Sequence, residues 1–144
     1  MAETFSASVA RWVEKVEQAR LEIFREAART IASDMRHPKD QGGHMPVDTG
    51  NLRNSLAAST VSMPPILFKD RKTRGAKDHE FADNTAGLNA VIDSATLSQT
   101  IYLGFQAPYA HKAEEDNAFV RLAAQNWQSI VRDSTRAVKA RLGL

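Results

Sequence analysis

The sequence predicts an α+β domain with a long N-terminal helix, a short central helix, a small antiparallel sheet carrying a long loop, and a long C-terminal helix. Three observations predict it. Apolar residues recur with the helical period at both ends of the chain, apolar and polar residues alternate over a short run ending at Phe105, and the stretch between has neither pattern. With 144 residues, 42% hydrophobic and 25% charged, the chain can fill one core. Residues 1–144 are therefore read as one domain with an inserted loop at about 64–87.

The first helix is carried by Phe5, Val9, Trp12, Val13, Val16, Ile23, Phe24, Ala27, Ile31 and Met35, with Glu14, Lys15, Glu17, Arg20, Glu22, Arg25 and Glu26 between them. Thr4 or Ser6 can accept its first-turn N–H groups, and Pro38 followed by Gly42-Gly43 ends it. A helix of about 30 residues is about 45 Å long, more than a domain this size needs to cover its own core. Part of the stripe is therefore expected on a neighbouring copy. Trp12, Val16, Ile23 and Phe24 are the candidate subunit interface.

Met45 to Leu56 reads Met-Pro-Val-Asp-Thr-Gly-Asn-Leu-Arg-Asn-Ser-Leu, a stop, a turn and a short amphipathic helix. Pro46 biases its predecessor toward extended backbone. Asp48 or Thr49 can cap a helix start, Gly50 permits a tight turn, and Leu52 and Leu56 fall on one face. Strands are expected at 56–63 and 95–105, the second with Leu97, Ile101, Leu103 and Phe105 on one parity, and Val91-Ile92-Asp93 is a possible third. The final helix is drawn by Phe119, Val120, Ala123, Ala124, Trp127, Ile130, Val131, Ala137, Val138 and Leu142. Asp116 or Asn117 is its expected cap, and Arg132, Arg136, Lys139 and Arg141 suit the negative end of its dipole.

Composition excludes several chemistries. There is no cysteine, so no disulfide and no thiolate metal site, which fits a reducing compartment. The N-terminus lacks a basic start with an apolar run, and no eighteen apolar residues occur together, so a soluble protein without a signal peptide is expected. His37, His44, His79 and His111 lack metal-ligand spacing, and His111 with Glu115 reads as a surface pair. No metal or other cofactor is expected. Net charge is only +2, yet Lys69, Arg71, Lys72, Arg74 and Lys77 crowd one aperiodic segment. That segment is either a solvated loop or a contact to DNA or another partner.

Asp48-Thr49-Gly50 is also the signature of retroviral-type aspartic proteases. Such an enzyme places the Asp at the end of a buried strand, where two copies share a proton. Here Gly42-Gly43-His44-Met45-Pro46 leads in and a helical pattern follows, so the context argues against that chemistry.

A resemblance covers most of the chain, from about Arg11 to Leu142. Val47 to Leu56, then Tyr102-Leu103-Gly104-Phe105, then Pro108-Tyr109-Ala110 with Glu114, then Ala118-Phe119-Val120-Arg121 follow the order and approximate spacing of a known family. The chain resembles the tail-completion or neck proteins of long-tailed bacteriophages, of the lambdoid tail-component type. Two departures stand out. The family carries a Gly after the Tyr-Ala-x-x-x-Glu segment and a Pro before the final Phe, where this chain has Glu114-Glu115-Asp116-Asn117-Ala118-Phe119, and the basic insertion after Pro64 is additional. The resemblance implies a non-enzymatic virion subunit, assembled in the host cytoplasm. It implies a homo-oligomeric ring, a hexamer, at the head–tail junction, between a head-side connector or stopper and a tail tube or tail terminator protein. Double-stranded DNA would pass through the lumen and contact the ring without sequence preference; no membrane is involved. Asp48, Thr49, Gly50, Leu52, Leu56 and Tyr109 are its fold motif. The rival readings are a DNA-binding or regulatory helical module and the protease.

Overall fold

In the computed structural model, which describes residues 3–67 and 81–144, the first helix, α1, runs Phe5–Met35. The Thr4 hydroxyl oxygen accepts the Ala7 N–H at 3.1 Å, satisfying one of the donors that a helix start leaves open. Beyond Met35 the chain folds back on itself, and Pro38 and Met45 form an isolated bridge. Gly43 is obligatory there, because a Cβ would lie 2.0 Å from the His37 carbonyl oxygen.

Burial along α1 is uneven. Every residue from Glu3 to Lys15 is exposed, whereas Ala19, Ala27, Ala28, Ala32 and Met35 are buried. Alanines at those positions let neighbouring backbones approach closely.

A turn through Gly50, at φ 84°, leads into α2, the single turn Asn51–Asn54, and then β1, Leu56–Ser59. β1 pairs antiparallel with β2, Tyr102–Phe105, setting Leu56 opposite Phe105 and Ser59 opposite Tyr102. Between the strands lies α3, Thr85–Ser94, and after them come α4, Ala110–Asn117, α5, Phe119–Gln125, and α6, Trp127–Leu142. The core gathers Met35 from α1, Met45, Leu52 and Leu56, Leu88 and Ile92 from α3, Phe105 and Phe119. Those two rings meet edge to face with centroids 5.0 Å apart, which ties the sheet to α5.

α6 lies antiparallel along the middle of α1, burying Ile130, Ser134 and Val138. Arg141 clamps the pair, its guanidinium donating to Glu22 at 2.7 Å and to Glu26 at 3.4 Å. Its charge does more than complement the dipole of its own helix. The Arg141 hydrogen bond holds the Glu22 carboxyl below the usual glutamate range, and the same bond raises the Arg141 pKa.

The predicted α+β architecture is present, with corrections to its middle and its last helix. Val91-Ile92-Asp93 is helical, part of α3, with Ile92 fully buried; three apolar-rich residues fit either a strand or one helix face. The strands expected at 56–63 and 95–105 are shorter, because Ser59 accepts the Val61 and Ser62 N–H groups and turns the chain, while 96–101 forms a turn closed by the Thr96 N–H donating to Gln99. Leu97 therefore sits on that turn, half exposed. The final helix breaks at Asn126 into α5 and α6. Neither Asp116 nor Asn117 caps it. Ala118 turns through a left-handed conformation at φ 53°, and the Glu114 carboxylate reaches forward from α4 to accept the Val120 and Arg121 N–H groups at 2.8 and 3.0 Å.

Candidate assembly surface

The Asp48–Leu56 motif is a structural hub. Leu52 and Leu56 are both buried in the core, but not on the one helix face expected: α2 ends at Asn54, and Leu56 opens β1, so a turn of helix and a strand each bury one leucine. The Thr49 hydroxyl oxygen accepts the Asn51 N–H at 3.3 Å, while Asp48 is exposed and Gly50 supplies the left-handed turn. Asn51, buried, donates from Nδ2 to the Tyr109 hydroxyl at 3.1 Å and accepts the Phe81 N–H on Oδ1 at 3.0 Å. One amide thus holds the motif, the entry to α4 and the strand of chain returning from the inserted segment. Tyr109 is buried beside it, its ring next to the motif and its hydroxyl held. Sequence reading passed over Asn51, because a polar residue inside a motif carries no periodic sign of burial.

The cleft at Asp48 is small, with a volume of about 10 Å³, and is lined by Pro46, Thr49, Gly50, Asn51, Leu52 and Tyr109. Asp48 stands on an exposed bend, and among the described residues no second carboxylate lines this cleft.

A polar network flanks the hub. Arg36 donates to the Thr85 hydroxyl, Thr85 donates to Asp83, and Arg53 donates to the Arg36 carbonyl. Burial, then the nearby Arg53 charge, lowers the Arg36 pKa, and the Thr85 hydroxyl and N–H together hold the Asp83 carboxyl below its ordinary value. These contacts fasten the start of α3 to the end of α1. Arg25, donating twice to the Ala95 carbonyl, and Arg29, paired with Asp93, fasten its other end.

The candidate interface residues lie on a face that the subunit leaves partly open. Trp12 is 61% exposed, and Val16, Ile23 and Phe24 are half-buried. Two apolar cavities run along this face between α1 and α6. One of about 380 Å³ is lined by Trp12, Val16, Ala19, Ile23 and Leu144 together with Arg20 and Lys139. The other, of about 280 Å³, is lined by Ile23, Phe24, Ala27, Leu97, Trp127 and Val131. Both are lined by Arg20 and Ile23, so they adjoin along α1 and are described together as one trough. Leu97, Trp127 and Val131 were not legible as surface residues, since Leu97 read as a strand position and the other two as the buried face of the last helix.

Lys69, Arg71, Lys72, Arg74 and Lys77 lie outside the described residues, as does His79. The expected His111–Glu115 pair is present at 3.2 Å, on the exposed side of α4. Among the described residues no group of His, Asp and Glu is arranged to hold a metal ion, and no helix is long and apolar enough to cross a membrane. Comparison with family models, curated proteins and solved structures gives no match.

Proposed function

We propose that the chain is a structural virion subunit that forms a ring at the head–tail junction of a long-tailed phage, joining the head connector to the tail around the DNA channel. The observation that carries this reading is the uncovered stripe of α1. Three helical turns without a buried residue, followed by an apolar trough, are costly to leave in water and are expected in a chain completed by neighbours. The hub of Asn51, Leu52, Leu56 and Tyr109 supports the same reading, since the residues that carry the family resemblance build a rigid scaffold. A ring also suits a heterologous contact, which closes only when the rotation between copies permits. The basic segment at 69–77 fits diffuse screening of phosphates, with contacts that are salt-sensitive and blind to sequence.

Withholding the chain from an infection by the phage that encodes it tests this function. The expected result is DNA-filled heads and separate tails that fail to join, restored by the wild-type chain. Normal joined particles would contradict it. The rivals have their own readouts. Proteolysis abolished by Asp48→Asn would revive the enzyme, and a gel shift at physiological salt by monomeric protein would favour the DNA-binding module.

A further inference from the structure

We propose that the trough between α1 and α6 receives the first three turns of α1 from a second copy of the chain, so that copies join head to tail. This rests on the ring reading for the presence of neighbouring copies and adds which two surfaces meet.

The first surface is convex. Gly143, at the end of α6, lies beside Lys15, so the turns of α1 before that point extend past the helix that covers the rest. On this overhang Phe5, Val9, Trp12 and Val13 follow the helical spacing of one stripe, with Phe5 84% exposed.

The second surface is concave and apolar. It runs from Trp12 to Ala27, about 22 Å along the helix axis, a length that accommodates the overhang. Trp127 and Leu97 stand at its far end, each 42% exposed.

Area supports the pairing. Taking aromatics at roughly 200 Å² each and discounting by exposure, the overhang stripe with Trp127, Leu97 and Leu144 offers on the order of 500 Å² of apolar surface. Specific interfaces are about 60% apolar, so this corresponds to roughly 830 Å², under the ~1,000 Å² that a specific contact needs. The half-buried Val16, Ile23, Phe24 and Val131 supply the remainder. A contact at this threshold is weak singly and becomes durable when a closed ring repeats it. An isologous pairing of two overhangs would cover Phe5 and Trp12 but leave both troughs open to water.

The test places the photo-crosslinker p-benzoylphenylalanine at position 5 of the full chain. Purified protein is irradiated over a rising concentration series, and assembled particles are irradiated in parallel. The expected result is a ladder of dimers, trimers and higher species whose crosslinked peptides contain Leu97 or residues 127–131. Trp127→Glu, with an unchanged melting curve, lowers the adduct yield by about tenfold, as loss of an interface anchor does. If Trp127→Glu disturbs the fold, Trp12→Glu, on the exposed face, serves as the second variant. Adducts between copies that map to the neighbour's residues 3–11, ahead of the trough, or to any surface outside the trough overturn the trough and leave the ring standing. Absence of copy-to-copy adducts in both concentrated protein and particles overturns both.

Discussion

Asn51 shows how one side chain can decide the geometry of a motif. Its amide bonds the Tyr109 hydroxyl and the Phe81 backbone at once, inside a site where neither group meets water freely. Asn51→Ala removes both bonds and should cost about 1–3 kcal/mol, while Tyr109→Phe removes one and should cost about 1 kcal/mol. Urea denaturation of the two variants and their double mutant measures this, and a double mutant no worse than Asn51→Ala would show that they act as one unit. Leu52→Ala, beside it, leaves a cavity and should cost about 2–5 kcal/mol. A melt identical to wild type would show that Leu52 is not packed as described. That both leucines are buried was legible in the sequence from their apolar character, but the single helix face suggested by their spacing was not what forms, because Leu56 opens β1. Asn51 was not legible, because hydrogen-bond partners 30 and 58 residues away leave no local trace.

At the scale of elements, the joint between α4 and α5 replaces a local cap with a borrowed one. Glu114 accepts two α5 N–H groups from the preceding helix, and Ala118 bears the left-handed turn that this requires. Glu114→Ala should cost about 0.5–2 kcal/mol, and Glu114→Gln, which keeps one acceptor oxygen, should cost less. Ala118→Gly should raise stability by up to about 1 kcal/mol by relieving the Cβ clash at positive φ. Thermal melts of the three variants decide these outcomes.

The α1–α6 clamp is sensitive to acid. Glu22 has its pKa lowered in the fold by the Arg141 hydrogen bond, so its contribution is present above the ordinary glutamate range near pH ~4.3 and is lost as pH falls through the lowered folded value. Arg141→Ala should therefore destabilise at neutral pH and converge with wild type in acid. A difference that stays constant down the pH series would assign Arg141 a packing role alone. Both long helices were legible because their periods run over many turns. α3 was not, because its 10 residues hold too few apolar positions to separate a helix from a strand, and the 95–105 alternation continued past the turn that cuts the strand short.

For the whole molecule, what distinguishes the chain is the mismatch between a core gathered around the C-terminal half of α1 and a helix that continues well past it. The excess length of α1 was legible from its stripe alone; the trough was not, because it is made by α6 and the Leu97 turn meeting α1 from far along the sequence. Trp12→Glu and Phe5→Glu should leave the melting temperature of isolated protein near wild type, since both side chains are exposed, yet block joining of heads to tails. The central claim is that copies of this chain close a ring around the DNA at the head–tail junction. An electron cryomicroscopy map of the assembled junction tests it most directly. The account predicts several copies in a closed ring, six by the family resemblance, with Trp12, Val16, Ile23 and Phe24 buried between neighbours. A single copy, a location elsewhere in the particle, or those four side chains facing solvent in the assembled state would contradict it.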